Sequence, residues 1–264
     1  MNILTKMIIL FSRGGMIMKI RFNRVISLVM TLALVLLLAI PQGLPVKAAE
    51  YKFEEEVAKK TVVNGGTYSI KRLEKRLYYK GNYAVTIAFE YPQLKGDTDN
   101  IKAFNKKMLK KANKAISGDL YESLKAAKIA SLDDGLDEDI EYFSLTSMNL
   151  TYKKGNIYSF MSENRWWAGG VNNVSRSGIN YNKRTGEYLK INYFVNGNIN
   201  AKAVKKLKAK EPELATPENI KYLSNKKEFS YYVKNGKACI CMQPYALKQG
   251  GDYLILGLIV KEGR

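Results

Sequence analysis

The sequence contains no histidine among its 264 residues. This absence excludes zinc sites with imidazole ligands, the Ser-His-Asp and Cys-His nucleophilic systems, and imidazole acid–base catalysis. Its two cysteines cannot supply the four ligands of a structural zinc site, and neither common glycine-rich phosphate loop occurs. Enzymes that use paired carboxylates or a Ser-Lys dyad remain open. The sequence therefore predicts no metal and no cofactor, and it favours binding over catalysis.

The scarce cysteines, Cys239 and Cys241, lie two residues apart. On a strand their side chains would share one face, with Cα atoms about 6.5–7 Å apart, which is at or beyond the reach of a disulfide. We therefore expect two small buried apolar side chains and no disulfide. That usage suits the surface of a Gram-positive bacterium.

Acidic residues are missing from the first 48 residues, which carry six basic ones. A cationic stretch at 19–24 precedes an apolar run from Val25 to Ile40, a Pro-Gly break and small residues up to Ala48 and Ala49. This order is typical of a secretory signal peptide, here cleaved between Ala48 and Ala49. The competing interpretation is a retained membrane anchor. As a helix the run would span only about 24 Å, against about 30 Å for the hydrocarbon core.

The first seventeen residues do not belong to that signal pattern. Arg13-Gly14-Gly15 is what a purine-rich ribosome-binding site would encode if it were translated, and Met18 offers a later start. We hypothesise that translation begins at Met18. N-terminal sequencing of the precursor tests this, because a peptide from residues 2–6 would contradict it.

The chain is strongly basic, with a formal net charge of +19. Residues 49–264 keep +13, because the six basic residues before them have no acidic counterpart. Such a domain attracts polyanions. Outside the cell these are teichoic acids and anionic lipid head groups, so we expect no nucleic-acid partner. The alternative is that lysine-rich faces serve solubility alone. The expected location is extracytoplasmic, secreted or on the cell surface, with membrane anchoring if the signal is uncleaved.

The order of strand and helix patterns indicates an α+β fold, an antiparallel sheet with helices packed against it, preceded by the signal segment. A helix capped by Asp97 or Asp99 should follow the strand that ends near Tyr91, with lysines on its outer face. Thr216 should cap a later helix, and Asn235-Gly236 predicts a hairpin with a type I′ turn.

Four segments follow from this reading. Residues 1–48 are the signal or anchor, 49–64 a charged tether, 65–132 an N-terminal α+β part and 140–264 a C-terminal α+β part, the last two expected to pack as one unit. The acidic run at 133–141 does not match the EF-hand spacing. We expect it to be a solvated loop.

The least ordinary stretch is at 164–170, where both tryptophans stand beside two glycines. Exposed aromatic rings stack on sugars and anchor protein partners. We therefore predict a ligand contact at Trp166, Trp167, Gly169 and Gly170. The alternative is a core tryptophan and a lid over a bulge at the glycines.

Several motifs, taken in order over residues 65–260, resemble the RsiV-like extracellular domain. They are a strand pattern over 142–163, Gly169-Gly170 after an aromatic residue, Asn180-Tyr181-Asn182, Thr185-Gly186-Glu187-Tyr188-Leu189, Tyr193-Phe194, and Pro244-Tyr245-Ala246-Leu247 before Gly250-Gly251. The stretch Tyr91-Pro92-Gln93-Leu94 with Asn100-Ile101 and Asn105 is similar to the region that precedes that domain.

That family includes lysozyme-sensing anti-sigma factors and modules beside a peptidoglycan deacetylase. Members often carry a histidine where Val171 stands here, so any role of that histidine is absent. No anti-sigma segment fits before Val25 and no deacetylase domain follows Arg264. The resemblance thus implies a freestanding exported copy of a binding module.

Three hypotheses about function follow. The leading one is a non-catalytic, envelope-facing binding domain for a cell-wall polymer or an extracellular protein. A second is a lysozyme-binding protein, as the resemblance implies. Many lysozymes are cationic, so docking would need an acidic face such as 133–141. A third is a carboxylate-dependent enzyme acting on wall glycan, which requires two acids about 5–9.5 Å apart in a cleft.

Overall fold

The computed structural model describes residues 51–136, 138–170, 172–247 and 253–261. The predicted signal segment, its cleavage between Ala48 and Ala49 and the Met18 start lie outside the described residues. From Tyr51 onward the chain forms one compact unit. Within the described part, no helix is both long and apolar enough to cross a membrane.

Seven strands form the larger sheet, in the same order as in the chain. They are β1 (Phe53–Asn64), β2 (Tyr68–Tyr79), β3 (Asn82–Leu94), β4 (Tyr142–Lys154), β5 (Ile157–Trp167), β6 (Asn173–Asn182) and β7 (Glu187–Tyr188). Neighbouring strands are antiparallel except β3 and β4, which run parallel. The structure is therefore a mixed α+β fold, as the sequence predicted. The sheet is mostly antiparallel rather than wholly so, because β3 and β4 are parallel and need a crossover connection.

Strand β1 corrects the prediction that residues 49–64 form a tether. It pairs with β2 from Phe53 opposite Tyr79 to Asn64 opposite Ser69. Most of its side chains are exposed on both faces, so the alternation of apolar and polar residues that marks a half-buried strand is missing. Backbone pairing with β2 fixes this segment, and its own hydrophobic pattern could not reveal it.

Two helices connect the parallel strands β3 and β4: α1 (Asp99–Ser117) and α2 (Asp119–Asp133). Apolar residues at helical spacing form a stripe on α1, which is buried at Ile101, Phe104, Met108 and Ala112. The capping prediction was wrong, because Thr98 occupies the N-cap with extended backbone angles and makes no side-chain cap bond. Asp99 is already helical, where its charge favours the N-terminal dipole.

The sheet curls around α1. Asn105 on this helix accepts a hydrogen bond from Leu94 N at 2.9 Å and donates one to Leu94 O at 2.9 Å, which fixes the helix to the end of β3. One residue earlier, the ring of Phe104 lies 4.5 Å from that of Tyr181 on β6. Because β4 and β5 separate β3 from β6, contacts with both place α1 on the concave face. Leu94, Asn105 and Tyr181, which belong to the motifs of the family resemblance, thus fix the position of this helix.

A second, three-stranded sheet follows in the order β10-β9-β8. Its strands are β8 (Tyr231–Lys234), β9 (Lys237–Met242) and β10 (Leu254–Ile259). Before them the chain forms the helices α3 (Ile199–Lys210) and α4 (Pro217–Ser224) and short 3₁₀ turns at Ile191–Tyr193 and Pro212–Leu214. The Thr216 cap is confirmed, since its hydroxyl accepts a bond from Asn219 N. The predicted hairpin is confirmed too: Asn235 and Gly236 have φ of 49° and 68°, as a type I′ turn requires. On β9, Cys241 is buried and Cys239 half-buried, both as free thiols.

The two sheets meet where β8 crosses β5 and β6. Asn180 Nδ2 donates to Tyr231 O at 2.7 Å, and Val233 N donates to Ser159 Oγ at 2.8 Å. Gly178 lies against the same strand, and a Cβ built there would overlap the Tyr231 carbonyl. A side chain is absent at this position because two backbones touch.

Candidate functional site

The concave face of the large sheet carries an unusual polar patch beside the hydrophobic core. Thr146 on β4 pairs with Asn164 on β5, and Ser162 on β5 pairs with Ser177 on β6, so these side chains share one face. Asn164 Nδ2 donates to Thr146 Oγ1 and to Ser144 Oγ, each at 3.0 Å. Hydroxyl and amide groups therefore form a connected floor.

A cavity of about 460 Å³ lies over this floor. Its opposite wall comes from Met108, Lys111 and Ala115 of α1 and from Leu120 at the start of α2. We call it the polar cavity. That wall is apolar apart from Lys111, and the floor offers hydrogen bonds; a mainly apolar lining with a few polar groups is usual for a ligand pocket.

A second cavity, of about 490 Å³, adjoins the first and shares Lys111, Gly178 and Ile179 with it. We call it the lysine cavity, because it is lined by Lys107, Lys111, Lys190 and Lys227. Among the described residues that line the two cavities, Glu228 is the only acidic one. The two cavities together, called the groove below, are electropositive at one end.

Aromatic and charged groups are coupled at that end. The Lys107 ammonium lies 4.0 Å from the centre of the Tyr188 ring, a cation–π contact. Burial raises the pKa of Tyr188 to about 12, with a smaller contribution from Tyr181. Burial, and then the charge of Lys107, lower the pKa of Lys111. The negative charge of a bound anion would raise the pKa of Lys111 again and favour its charged form.

Asn180, which lines the lysine cavity, carries a buried acceptor that has no partner among the described residues. Its Nδ2 is engaged by Tyr231 O, whereas its buried Oδ1 has no hydrogen-bond partner in the part of the chain that the structure describes. A buried acceptor without a partner is costly, so a donor that completes it stabilises the complex. Asn180 lines the lysine cavity, and its Oδ1 is buried, so a ligand donor would reach this oxygen only after a local movement of the side chain.

The two tryptophans face different surroundings. Trp166 pairs with Ser144 and with Asn173, so it lies on the face of the polar floor, at the strand end beyond Asn164, and is 37% exposed. Trp167 packs edge-on against Tyr142 with ring centres 5.1 Å apart, and its Nε1 donates to Gly170 O at 2.6 Å.

The glycines beside them shape the turn that holds Trp167. Gly169 has φ of 88°, which favours glycine, and a Cβ there would lie 3.0 Å from the Tyr142 hydroxyl. Gly170 supplies the carbonyl that Trp167 binds. A ligand contact at these four positions stays a prediction; Trp166 shares the sheet face of the polar floor but lines neither cavity.

The acidic run at 133–141 forms hydrogen bonds and an ion pair with other residues of the same chain. Asp133 accepts a bond from the Tyr51 hydroxyl at 2.7 Å, Glu138 pairs with Lys80 at 2.8 Å, and Asp139 accepts from Asn82. Asp137 lies outside the described residues. These three carboxylates thus have partners at the β2–β3 turn and beside β1. A basic protein that docked here would have to compete with those contacts.

No set of three or more Cys, Asp or Glu side chains that could hold a metal ion occurs within the described ranges. The floor of the groove was missed by the sequence reasoning. The available pattern was two polar residues at alternate positions of each strand, Ser144 and Thr146 of β4 and Ser162 and Asn164 of β5, on the side that faces the helices. Such a face is expected to be apolar, so its polarity could have marked a site.

No family model matches the sequence, and no curated protein matches it. Two crystal structures of DUF3298 family proteins are similar in chain course. One, from Bacteroides fragilis, is 11% identical with a TM-score of 0.47 and covers 80% of this chain and 90% of its own. The other, from Pseudomonas aeruginosa, is 12% identical with a TM-score of 0.41 and covers 80% and 95%. The RsiV-like resemblance stays a prediction beside them, in no conflict with either.

Proposed function

We propose that this protein is an exported, non-catalytic, envelope-facing binding domain whose groove holds a cell-wall polymer. The observation that carries the proposal is the groove itself, with a floor of hydroxyl and amide groups at one end and four lysines at the other. Hydroxyls of a sugar or polyol fit the floor, and phosphates or carboxylates fit the lysines. The predicted signal segment supports an extracytoplasmic location.

The same geometry gives little support to glycan hydrolysis. Two carboxylates about 5–9.5 Å apart across the substrate are needed for that chemistry. Glu228 lines the lysine cavity, and no second acid among the described residues lines either cavity. Binding is therefore the better-supported function.

Retention on cell walls tests the proposal. Residues 51–264, which form one compact unit, are incubated with intact walls and with walls stripped of teichoic acid, over a salt series. Retention that requires teichoic acid and falls with salt would identify the anionic polymer, since salt screens such contacts. Salt-resistant retention on stripped walls would identify the glycan. No retention on either material would contradict the proposal and direct attention to a protein ligand.

A matched pair of variants separates glycan stacking from general aromatic exposure. Trp166→Ala removes the ring at the end of the polar floor, and Tyr222→Ala removes one of nearly equal exposure, 38%, on α4. If glycan is bound in the groove, Trp166→Ala weakens retention on stripped walls and Tyr222→Ala leaves it unchanged. Equal effects would remove Trp166 from the site.

A further inference from the structure

Strand β1 leaves a long sheet edge uncovered. It contains twelve residues and lies at the end of the seven-stranded order, and in the described residues no strand pairs with its outer side. The opposite edge of the sheet is β7, which has only two residues. An unpaired edge of this length presents a row of backbone donors and acceptors to another chain.

The side chains of β1 do not protect that edge fully. Val57, in the middle of the strand, is 62% exposed, and Val62 is 46% exposed. No proline or glycine interrupts the strand. Its charges are the remaining protection, and they are sorted by sign: Glu54, Glu55 and Glu56 precede Val57, and Lys59 and Lys60 follow it.

This sorting makes the strand complementary to itself. We propose that β1 pairs antiparallel with β1 of a second copy of this chain, about a two-fold axis at Val57. In that register Glu54 lies opposite Lys60 and Glu55 lies opposite Lys59, once on each side of the axis. Opposite charges across an antiparallel pair stabilise it, whereas like charges would oppose it. An interface of this kind is isologous, as a closed dimer requires.

The regular part of the strand has the same centre. The ladder between β1 and β2 runs without a break from Phe53 to Thr61, and its register shifts between Thr61 and Val63. Val57 is the midpoint of that unbroken stretch. A dimer centred there pairs Phe53 with Thr61 and ends where the strand becomes irregular.

Other registers fit less well. Centring the pair on Ala58 leaves Glu56 and Lys60 as the only opposed charges of opposite sign, and centring it on Glu56 places Lys52 opposite Lys60. The Val57 register also uses free groups, because Glu54 and Lys60 are exposed and form no ion pair with the described residues. Glu55 already contacts Lys75 at 3.1 Å and would share its charge. The proposed dimer joins two large sheets into one.

Disulfide trapping tests the position of the axis in the full-length chain. In the Val57→Cys variant the two new cysteines face each other with Cα atoms about 4.5–5.5 Å apart, within disulfide reach. In Val62→Cys they lie about 33 Å apart, from ten residues at about 3.3 Å each. We expect a covalent dimer on non-reducing gels for Val57→Cys, and only the wild-type background from Cys239 and Cys241 for Val62→Cys. Equal trapping in both variants, or none in Val57→Cys, would overturn the proposal.

A charge exchange tests the pairing without new cysteines. Glu54→Lys places lysine opposite Lys60, and Lys60→Glu places glutamate opposite Glu54. Each variant alone should therefore dimerise about fivefold more weakly than wild type, because both cross-strand pairs become repulsive. Mixed together they restore both pairs. With two different tags on full-length chains, Glu54→Lys should therefore co-purify with Lys60→Glu. Neither variant should co-purify with a differently tagged copy of itself. Self-association of the single variants at wild-type strength would refute the register.

Discussion

Gly178→Ala tests the contact that joins the two sheets. An alanine Cβ at this position would overlap the Tyr231 carbonyl oxygen and lie 2.8 Å from Tyr232 N. Both neighbours are backbone atoms, so no side chain can rotate away. Strand β8 must move, and it carries the buried Val233.

The cost follows from what this movement disturbs. Overpacking of a closed interface costs about 1–3 kcal/mol. Displacing β8 also strains the bonds from Asn180 to Tyr231 O and from Val233 N to Ser159, each contributing about 1 kcal/mol. A loss of about 3–5 kcal/mol lowers the melting temperature of a domain of this size by about 6–20 °C.

Thermal unfolding of residues 51–264, followed by circular dichroism, measures this shift. The control is Gly66→Ala, because a Cβ there meets no atom within 4 Å. We expect the control to melt within about 2 °C of wild type. If Gly178→Ala also does so, the sheets do not meet as described, and the reasoning is refuted.

Three further predictions concern Glu163, Asn105 and Cys241. Burial alone would raise the pKa of Glu163, but hydrogen bonds from Arg176 and Arg165 hold it below the ordinary value. The contacts between Glu163 and the two arginines therefore stabilise the fold above about pH 4.3, and this stabilisation is lost as pH falls through the lowered pKa. Glu163→Gln should reduce the free energy of unfolding in urea by about 1–2 kcal/mol at pH 7 and by little near pH 3. The same reduction at both pH values would contradict the pairing. Asn105→Ala should cost about 2–3 kcal/mol in urea unfolding, since it leaves the two backbone groups of Leu94 without partners, and a cost below about 0.5 kcal/mol would contradict that role. Burial raises the pKa of the Cys241 thiol to about 12, so a thiol reagent at pH 8 should modify it only after denaturation, and rapid reaction in the native protein would show it to be accessible.

Much of the fold follows from local pattern. The apolar stripe of α1 at helical spacing predicts a helix, and Asn235-Gly236 predicts a hairpin turn. Both predictions depend only on residues close together in the chain. Strand β1 could not be recognised this way, because both of its faces are exposed and β2 determines its conformation. The parallel pairing of β3 and β4 across two helices likewise depends on distant segments.

The candidate site was less accessible to sequence reasoning. The sequence pointed to Trp166 and to the lysine-rich face of α1, and the structure places Trp166 on the face of the polar floor and Lys107 in the groove. Lys190 and Lys227 lie far from them in the chain and reach the same cavity only through the packing of the second sheet. No spacing rule connects residues brought together by the meeting of two sheets.

The most direct test of polymer binding in the groove compares two lysine pairs on the same helix. Lys107→Gln with Lys111→Gln removes two charges that line the groove, and Lys106→Gln with Lys110→Gln removes two exposed charges that do not line it. Binding of residues 51–264 to intact walls is measured at low salt. We predict that the groove pair weakens binding by about 1–2 kcal/mol, which is about 5–30-fold in Kd, while the control pair changes it less than twofold. Equal weakening by both pairs would mean that net charge alone binds the wall and would contradict a site in the groove.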